Sequence, residues 1–294
     1  MLKDLSLGEK YFKKKNKISV VIPSLGGKAL AKTIRYLNNG ITKPDKILIC
    51  VPKSVFPKNL HFKRNTNFEL IHCPTKGQVR QKIFGFTKIN SKYTFQIDDD
   101  ILVNKTCLKF LLRGAITKSN KSAFGAFLKS QKNMVSENMT PSIFKQIINF
   151  FLYGKRRLSM RSVLSSGIAT DLFDQRDVFL SKTEWLNGIV FTNTKNLIKF
   201  DYFKLNGKAY NEDIIYSGIL KKNNVSLWMN NKAVCLEQNQ ILFNNKEKFS
   251  FRYWIKIYKT RKMIISLYRG SFIKMMLLIF LGIFKNLLIK LMKK

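Results

Sequence analysis

The stretch "YTFQIDDDILV", residues 93–103, sets three consecutive carboxylates directly behind a run of strand-forming residues. Neighbouring like charges repel each other, so the end of a buried strand is an unfavourable place for Asp98, Asp99 and Asp100 unless something compensates for them. A divalent cation would do so, because hard cations take carboxylate oxygens as ligands. On an extended backbone Asp98 and Asp100 would point to one side and Asp99 to the other, so the first pair could share one Mg²⁺ or Mn²⁺ ion.

The segments before this stretch alternate between strand and helix patterns. Short apolar runs rich in β-branched residues predict four strands, at residues 17–24, 45–52, 68–74 and 92–98. Between them, apolar residues recur at helical spacing, as in residues 77–90. Strands that alternate with helices predict a parallel α/β sheet. Ligands bind beyond the carboxyl ends of such strands, which is where Ser24, Pro52 and the three aspartates lie.

The pattern continues beyond the aspartates with less regular spacing. Helices are predicted at residues 106–120 and 210–224, and an amphipathic helix with a basic end at residues 142–158. Strands are predicted at residues 121–128, 184–193 and, as one strand or two, 225–238. These elements extend the predicted α/β domain to residue 245.

Composition changes near residue 246, which divides a domain of residues 1–245 from a tail of residues 246–294. No acidic residue follows Glu247, whereas basic and aromatic residues recur to the end. The longest uncharged run, residues 275–284, is too short to cross about 30 Å of hydrocarbon, which takes about 20 apolar residues. We therefore expect residues 249–294 to form amphipathic helices in the interface of an anionic membrane. A helix packed on the protein's own core or on a sister subunit would give the same pattern.

The charge of the whole chain favours an anionic partner. There are 54 basic and 17 acidic residues, for a formal net charge of +37. Phosphorylated substrates, nucleic acids and acidic lipids all suit such an excess, although an AT-rich gene would also produce many Lys, Asn, Ile and Phe residues without selection for binding. We expect no nucleic-acid partner, because nucleic acid cannot use the long apolar run of the tail.

The cysteines and histidines further limit the kinds of metal, redox and catalytic site that the chain could form. The four cysteines are far apart and form no C-x-x-C pair, so they indicate neither a zinc site nor a redox site. The first 17 residues lack the apolar core of a signal peptide, so we expect reduced cytosolic thiols and a protein peripheral to the inner face of the cell membrane. The two histidines, His61 and His72, leave little material for a zinc site or a Ser-His-Asp triad.

A second acidic group opens the predicted helix at residues 210–224. In "NED", Glu212 and Asp213 stand more than 100 residues beyond the aspartates. Carboxylates at a helix N-terminus often only cap the helix or interact with its dipole. A catalytic base must instead lie within about 2.6–3.2 Å of the reacting hydroxyl. Only the fold can bring the two acidic groups together.

Five segments, in order, resemble those of family 2 glycosyltransferases: "ISVVIPSLGG", "GQVRQKIFGF", "FQIDDDI", "WLNGIVF" and "NEDIIYSGIL". The resemblance covers roughly residues 17–238. It implies a GT-A fold, which is a Rossmann-like, mostly parallel sheet flanked by helices. It also implies an inverting transfer from a nucleotide-diphosphate sugar to a hydroxyl of a glycan or lipid-linked acceptor, in the synthesis of cell-surface polysaccharide or lipopolysaccharide. The basic and aromatic segment 251–265 resembles one that follows the catalytic domain in membrane-associated members.

The resemblance further implies roles for individual residues. Those that would contact the nucleotide-sugar donor are Pro23, Ser24, Leu25, Gln78, Arg80, Asp98 and Asp99. Those that would form the acceptor loop are Trp185, Asn187 and Gly188. Asp100, together with Asp98, would hold a Mn²⁺ or Mg²⁺ ion. Asp213 would be the catalytic base, with Glu212 beside it.

The chain also departs from the family pattern at two places. Many members have an acidic "DDGS"-type turn that contacts the nucleobase after the second strand, where this chain has "CVPKS" at residues 50–54. Many also place a metal-binding His after the last strand, where this chain offers Glu237 and Gln238. A nucleotidyltransferase on a similar scaffold, a basic nucleic-acid-binding protein and an inactive scaffold homologue are the alternative interpretations.

Overall fold

A computed structural model describes residues 16–55, 67–129, 161–170, 178–204, 209–238 and 250–291 of the chain. The helix predicted at residues 142–158 lies outside these residues. Within them, strands and helices alternate along the first hundred residues as the apolar pattern predicts, and a nine-stranded sheet forms the centre of the fold.

One half of the sheet is parallel. Strands β1 (Ile18–Pro23), β2 (Lys46–Pro52), β3 (Phe68–Cys73) and β4 (Tyr93–Gln96) lie side by side in the order β3-β2-β1-β4. Every residue of β1 is buried, as expected for a parallel strand covered on both faces. Helices α1 (Ala29–Asn38) and α2 (Gln78–Phe86) occur in the connections between these strands. The predicted α/β class is thereby confirmed.

The other half of the sheet is mixed. The order continues from β4 through β8 (Val190–Asn193), β6 (Ser122–Lys129) and β9 (Ser226–Glu237) to β5 (Ile101–Val103), and β7 (Leu180–Lys182) also pairs with β9. Strand β8 is antiparallel to both of its neighbours. The segment predicted as one strand or two is the single strand β9, which follows β6 with one irregularity of register. Helices α3 (Cys107–Thr117) and α4 (Glu212–Lys222) complete this half.

The prediction that the strand before the aspartates extends through residue 98 is wrong. Strand β4 ends at Gln96, and Asp99 and Asp100 form a turn. The physical reason is the sheet order: β4 pairs with β1 and β8, whereas β5 pairs with β9 at the far edge. The chain must change direction between β4 and β5, so the alternation of side chains on an extended backbone does not describe these aspartates.

The tail contains two helices, α5 (Phe251–Tyr268) and α6 (Phe272–Leu291). Helix α5 packs on the domain: a Cβ on Gly218 of α4 would lie 2.8 Å from the Tyr268 ring, and the Tyr268 hydroxyl donates to the carbonyls of Glu184 and Ile214. The alternative of a tail packed on the protein's own core therefore applies to α5. None of the helices in the described part of the chain is long and apolar enough to cross a membrane. The division at residue 246 stays a prediction.

Helix α2 approaches the sheet most closely at Gly85. A Cβ there would lie 2.6 Å from Cys50 Sγ and 2.7 Å from Val21 Cγ1, closer than real contacts allow. We predict that Gly85→Ala lowers the free energy of unfolding by about 1–3 kcal/mol, because overpacking outweighs the better helix propensity of alanine. Gly27→Ala is the control, since nothing lies within 4 Å of a Cβ at that position. Denaturant unfolding measures both, and an unchanged or raised stability of Gly85→Ala would refute the close approach.

Candidate functional site

The first wall of the site is the carboxyl end of β1. The backbone N–H of Ser24 donates to the carbonyl of Cys50 at 2.9 Å, which ties this end to β2. The Ser24 hydroxyl accepts from the backbone N–H of Gly26 and donates to Asp99 Oδ2. Burial raises the pKa of Asp99, and the bond from Ser24 opposes that rise. Pro23 is buried at the end of β1, whereas Leu25 is exposed. Ser24 therefore positions Asp99, and Leu25 stays open to a ligand.

Asp98 lies where three parts of the chain meet. Its Oδ1 accepts from Gln78 Nε2 at 2.8 Å and lies 3.8 Å from Lys82 Nζ, and both of these residues come from α2. On its other side, a Cβ on Gly188 would lie 3.3 Å from Asp98 Oδ2. The loop predicted to bind the acceptor thus runs directly against the aspartate predicted to bind the donor. Any side chain at position 188 would crowd this carboxylate.

The ammonium group of Lys82 connects the two acidic groups. The Lys82 side chain is fully buried, and its Nζ lies 2.5 Å from Glu212 Oε1. The other oxygen of Glu212 accepts from the Tyr202 hydroxyl at 2.8 Å. Burial lowers the pKa of Lys82, but the charges of Glu212 and Asp98 outweigh this effect and raise it above its usual range. One charged ammonium therefore holds Asp98 and Glu212, which the sequence separates widely, at the same site.

Asp213, the neighbour of Glu212, has a different environment. Its Oδ1 accepts from the backbone N–H of Ile214 at 3.0 Å. Burial, and then the charge of Glu212, raise its pKa to about 7, and Lys82 offsets only part of this rise. The residue before the pair, Asn211, has a left-handed backbone (φ 56°) that starts helix α4. Asp213 can therefore exchange a proton near neutral pH, whereas Glu212 is held by two partners.

Asp100 is the last residue of the turn that follows β4. Burial, and then the charges of Asp98, Asp99 and Glu237, raise its pKa to about 6. Its backbone carbonyl accepts from the N–H of Gln238 at 2.9 Å, and the Gln238 amide donates to α1, to the carbonyl of Ala29 and the hydroxyl of Thr33. The amide nitrogen of Gln238 is thus directed to the helix.

The three carboxylates at this turn are the type of ligand that a hard divalent cation takes in proteins. The part of the chain that the structure describes contains no group of three His, Cys, Asp or Glu side chains arranged for a metal ion. Asp98 and Asp100 would therefore supply one or two ligands, and water and substrate phosphate oxygens the rest, which is the usual arrangement for Mg²⁺.

The predicted acceptor loop is held by buried contacts. Trp185 is buried, its Nε1 donates to the carbonyl of Thr170 at 3.1 Å, and the Arg161 guanidinium lies 5.0 Å from its ring centre. Asn187 Nδ2 donates to the carbonyl of Ala126 at 3.4 Å, and its Oδ1 is buried without a hydrogen-bond partner among the described residues. The structure thus fixes this loop beside Asp98, and its contact with an acceptor stays a prediction.

The structure pairs Arg80 with Asp201 rather than with the aspartates at residues 98–100. Its Nε donates to Asp201 Oδ2 at 3.0 Å, and about a third of each side chain is exposed. The expectation that Arg80 lies near the donor stays a prediction.

Sequence reasoning missed three residues of the site: Gln81, Lys82 and Tyr202. Gln81 Nε2 donates to the carbonyls at the ends of β1 and β2, at 2.8 Å to Ser24 and 2.6 Å to Cys50. A signal for Lys82 was present, because positions 78, 82 and 85 share one face of a helix whose buried side must face the sheet. A lysine on such a face needs a buried countercharge. Nothing in the sequence signalled Tyr202.

Comparison with solved structures supports one conclusion about the fold. GalNAc-T7, crystallised with UDP, GalNAc and Mn²⁺, superposes with a TM-score of 0.55 and 11% sequence identity over 77% of this chain and 44% of its own. The S. aureus TarS 1-349 structure in complex with UDP-GlcNAc superposes with a TM-score of 0.53 and 14% identity over 85% of this chain and 66% of its own. The chain has a GT-A fold. By sequence, it matches no family model and no curated protein.

The GT-A chain spans less than half of GalNAc-T7 and about two-thirds of TarS 1-349. At these identities the likeness concerns the fold. In this chain, strands β1 and β4 lie side by side, and Ser24 and the three aspartates follow their ends.

The buried ion pair gives a stability prediction. Lys82→Met should lower the free energy of unfolding by about 3–5 kcal/mol, because the buried carboxyl group of Glu212 loses its partner. The double variant Lys82→Met with Glu212→Gln should recover most of this loss. Lys88→Met, which changes an exposed lysine just beyond the same helix, should stay within about 0.5 kcal/mol of the parent. Denaturant unfolding of the four proteins tests the pairing, and a double variant no more stable than Lys82→Met would contradict it.

Proposed function

We propose that the protein is an inverting glycosyltransferase, which moves a sugar from a nucleotide-diphosphate sugar to an acceptor hydroxyl. The observation that carries the proposal is the contact of one buried ammonium, Lys82 Nζ, with both Asp98 and Glu212. It places the aspartates at the strand ends beside the carboxylate pair that opens α4. Two structural neighbours of this fold were crystallised with UDP, GalNAc and Mn²⁺ and with UDP-GlcNAc, respectively, which supports a nucleotide-sugar donor.

The donor would lie against the ends of β1 and β4. Pro23, Ser24 and Leu25 would line the nucleotide, with Asp99 fixed by Ser24. Gln78 and Asp98 form a hydrogen-bonded pair at the start of α2, and the backbone N–H groups there suit the negative charge of a diphosphate. Arg80 would strengthen this interaction if it exchanged Asp201 for the donor.

Asp100, with Asp98, would hold a Mn²⁺ or Mg²⁺ ion. Such an ion, when bound, neutralises the charge of a diphosphate leaving group. Its charge would also reverse the rise in the pKa of Asp100, because an adjacent cation favours the ionised carboxylate.

Asp213 would act as the general base. Its carboxylate takes the proton of the acceptor hydroxyl, the oxygen forms a bond to the anomeric carbon, and the bond from that carbon to the diphosphate oxygen breaks with inversion. A pKa of about 7 suits this task at neutral pH. Glu212 is bound by Lys82 and Tyr202, so its part is to position its neighbour and to keep Lys82 charged. The sugar acceptor would approach along the loop that contains Trp185, Asn187 and Gly188.

The acceptor would be a glycan or a lipid-linked molecule of the cell surface, used at the inner face of the cell membrane. The exposed apolar residues of α6 support this assignment, because they would keep the enzyme where lipid-linked substrates are.

If Asp213 is the general base, its replacement should remove most of the transfer activity without removing donor binding. Asp213→Asn should lower transfer from UDP-sugars about 10²–10⁴-fold, because a general base contributes about that factor. Donor binding measured by calorimetry should persist. In the parent, turnover should rise with pH through a midpoint near 7, since the base acts only when ionised. Glu69→Gln, which changes an exposed carboxylate paired with Lys46, is the control and should behave as the parent.

The product identifies the reaction. Release of nucleoside diphosphate is expected, and release of pyrophosphate would instead indicate a nucleotidyltransferase. Full turnover of Asp213→Asn would remove this residue from the role of base.

The metal assignment predicts a changed response to chelation. EDTA should lower the turnover of the parent by about 10²-fold or more, since a metal ion contributes several kcal/mol of charge stabilisation. Asp100→Ala should have low turnover that neither EDTA nor added Mn²⁺ or Mg²⁺ changes. The same response to EDTA in the parent, in Asp100→Ala and in the control Glu69→Gln would exclude Asp100 as a ligand.

A further inference from the structure

We propose that helix α6 docks on an anionic lipid bilayer through one exposed face, which we call the apolar stripe. The apolar stripe consists of Ile273, Leu277, Phe280, Phe284, Leu287 and Leu291. This inference does not depend on the proposed transferase activity, since it concerns a surface that is separate from the carboxylate site.

The stripe is continuous along the helix. Its residues follow one another at spacings of four, three, four, three and four, which keeps them on one side of an α-helix. All six are exposed, from Ile273 with 79% of its surface accessible at one end to Leu291 with 70% at the other. The rings of Phe280 and Phe284 stack on each other at 6.5 Å within it. Contiguous exposed apolar residues of this kind mark interaction sites.

Packing fixes the direction in which the stripe faces. Met275 and Ile279, on the opposite side of α6, are buried together with Ile257 and Ile265 of α5. At Gly282 the two helices come so close that a Cβ would lie 2.6 Å from the Trp254 ring. Helix α5 is in turn held to the domain by Tyr268 and by the fully buried Ile264. The stripe therefore faces away from the protein because the other side of α6 is occupied.

Charge favours a bilayer over a second copy of the chain. No acidic residue follows Glu247, and the four basic residues Arg252, Lys259, Lys262 and Arg269 are exposed along α5. Two copies joined through α6 would bring their unneutralised positive charges together, on chains that each carry a net +37. An anionic lipid surface would neutralise the same charges while its acyl region accepts the apolar side chains. Because α5 covers one side of α6, the helix would lie in the plane of the interface.

The test is flotation of the full-length protein with vesicles of phosphatidylcholine, with or without phosphatidylglycerol. The parent should float with the anionic vesicles and bind the neutral ones about tenfold more weakly, and added salt should weaken the anionic binding. The variant Ile273→Ser with Phe280→Ser should lose about tenfold or more of its binding, because two large apolar side chains no longer enter the lipid. Its matched control is Ile41→Ser with Phe200→Ser, which changes exposed residues of the same types on the domain.

The outcomes separate the possible occupants of the stripe. Equal binding of the parent to neutral and anionic vesicles would overturn the role of charge. Unchanged flotation of the stripe variant, or an equal loss in the control, would overturn the assignment of the stripe. A dimer of the parent in light scattering that the stripe variant abolishes, without vesicle binding, would show that a second copy covers it. Thermal unfolding of both variants confirms that they fold.

Discussion

The candidate site depends on the burial of one positive charge. Removing the Lys82 ammonium from water costs several kcal/mol, and only nearby carboxylates with good geometry can compensate for that cost. Glu212 does so at 2.5 Å and Asp98 at 3.8 Å, while Tyr202 completes the hydrogen bonding of Glu212. The turn after β4, helix α2 and the start of helix α4 are therefore held to each other by the same charge. The interaction thereby fixes the relative positions of the three segments that form the site.

The ion pair with Lys82 gives the adjacent carboxylates of Glu212 and Asp213 different environments. Glu212 has a cation and a hydroxyl as partners, which hold its carboxyl group in place. Burial, and then the repulsion of Glu212, raise the pKa of Asp213 to about 7, and the charge of Lys82 offsets only part of this rise. Environments that push the pKa values of neighbouring acids apart are a common means of dividing catalytic roles between them. Here Glu212 and Asp213 have different roles because Glu212 forms the ion pair with Lys82.

The tail combines two kinds of surface on two packed helices. Helix α5 contributes Ile264 to the core of the domain and presents basic side chains to solvent, whereas α6 contacts α5 on one side and exposes the apolar stripe on the other. A helix with apolar residues on two opposite sides needs two partners. The structure supplies one of them, and the positive charge of the tail limits what the second can be.

The sequence by itself determined the local elements and the chemistry of single segments. Residues 18–23 form a strand that is buried on both faces, as their apolar pattern predicted. The three aspartates come after a strand, and the "NED" group begins a helix, as predicted. Only the tertiary structure decided which segments meet. It showed that β4 ends before the aspartates and that Tyr202 belongs to the site. It also showed that Lys82 joins Asp98 to Glu212, which lies 130 positions beyond the lysine. The physical reason is that periodicity and burial are properties of one segment, whereas the distance between segments depends on the order of strands in the sheet.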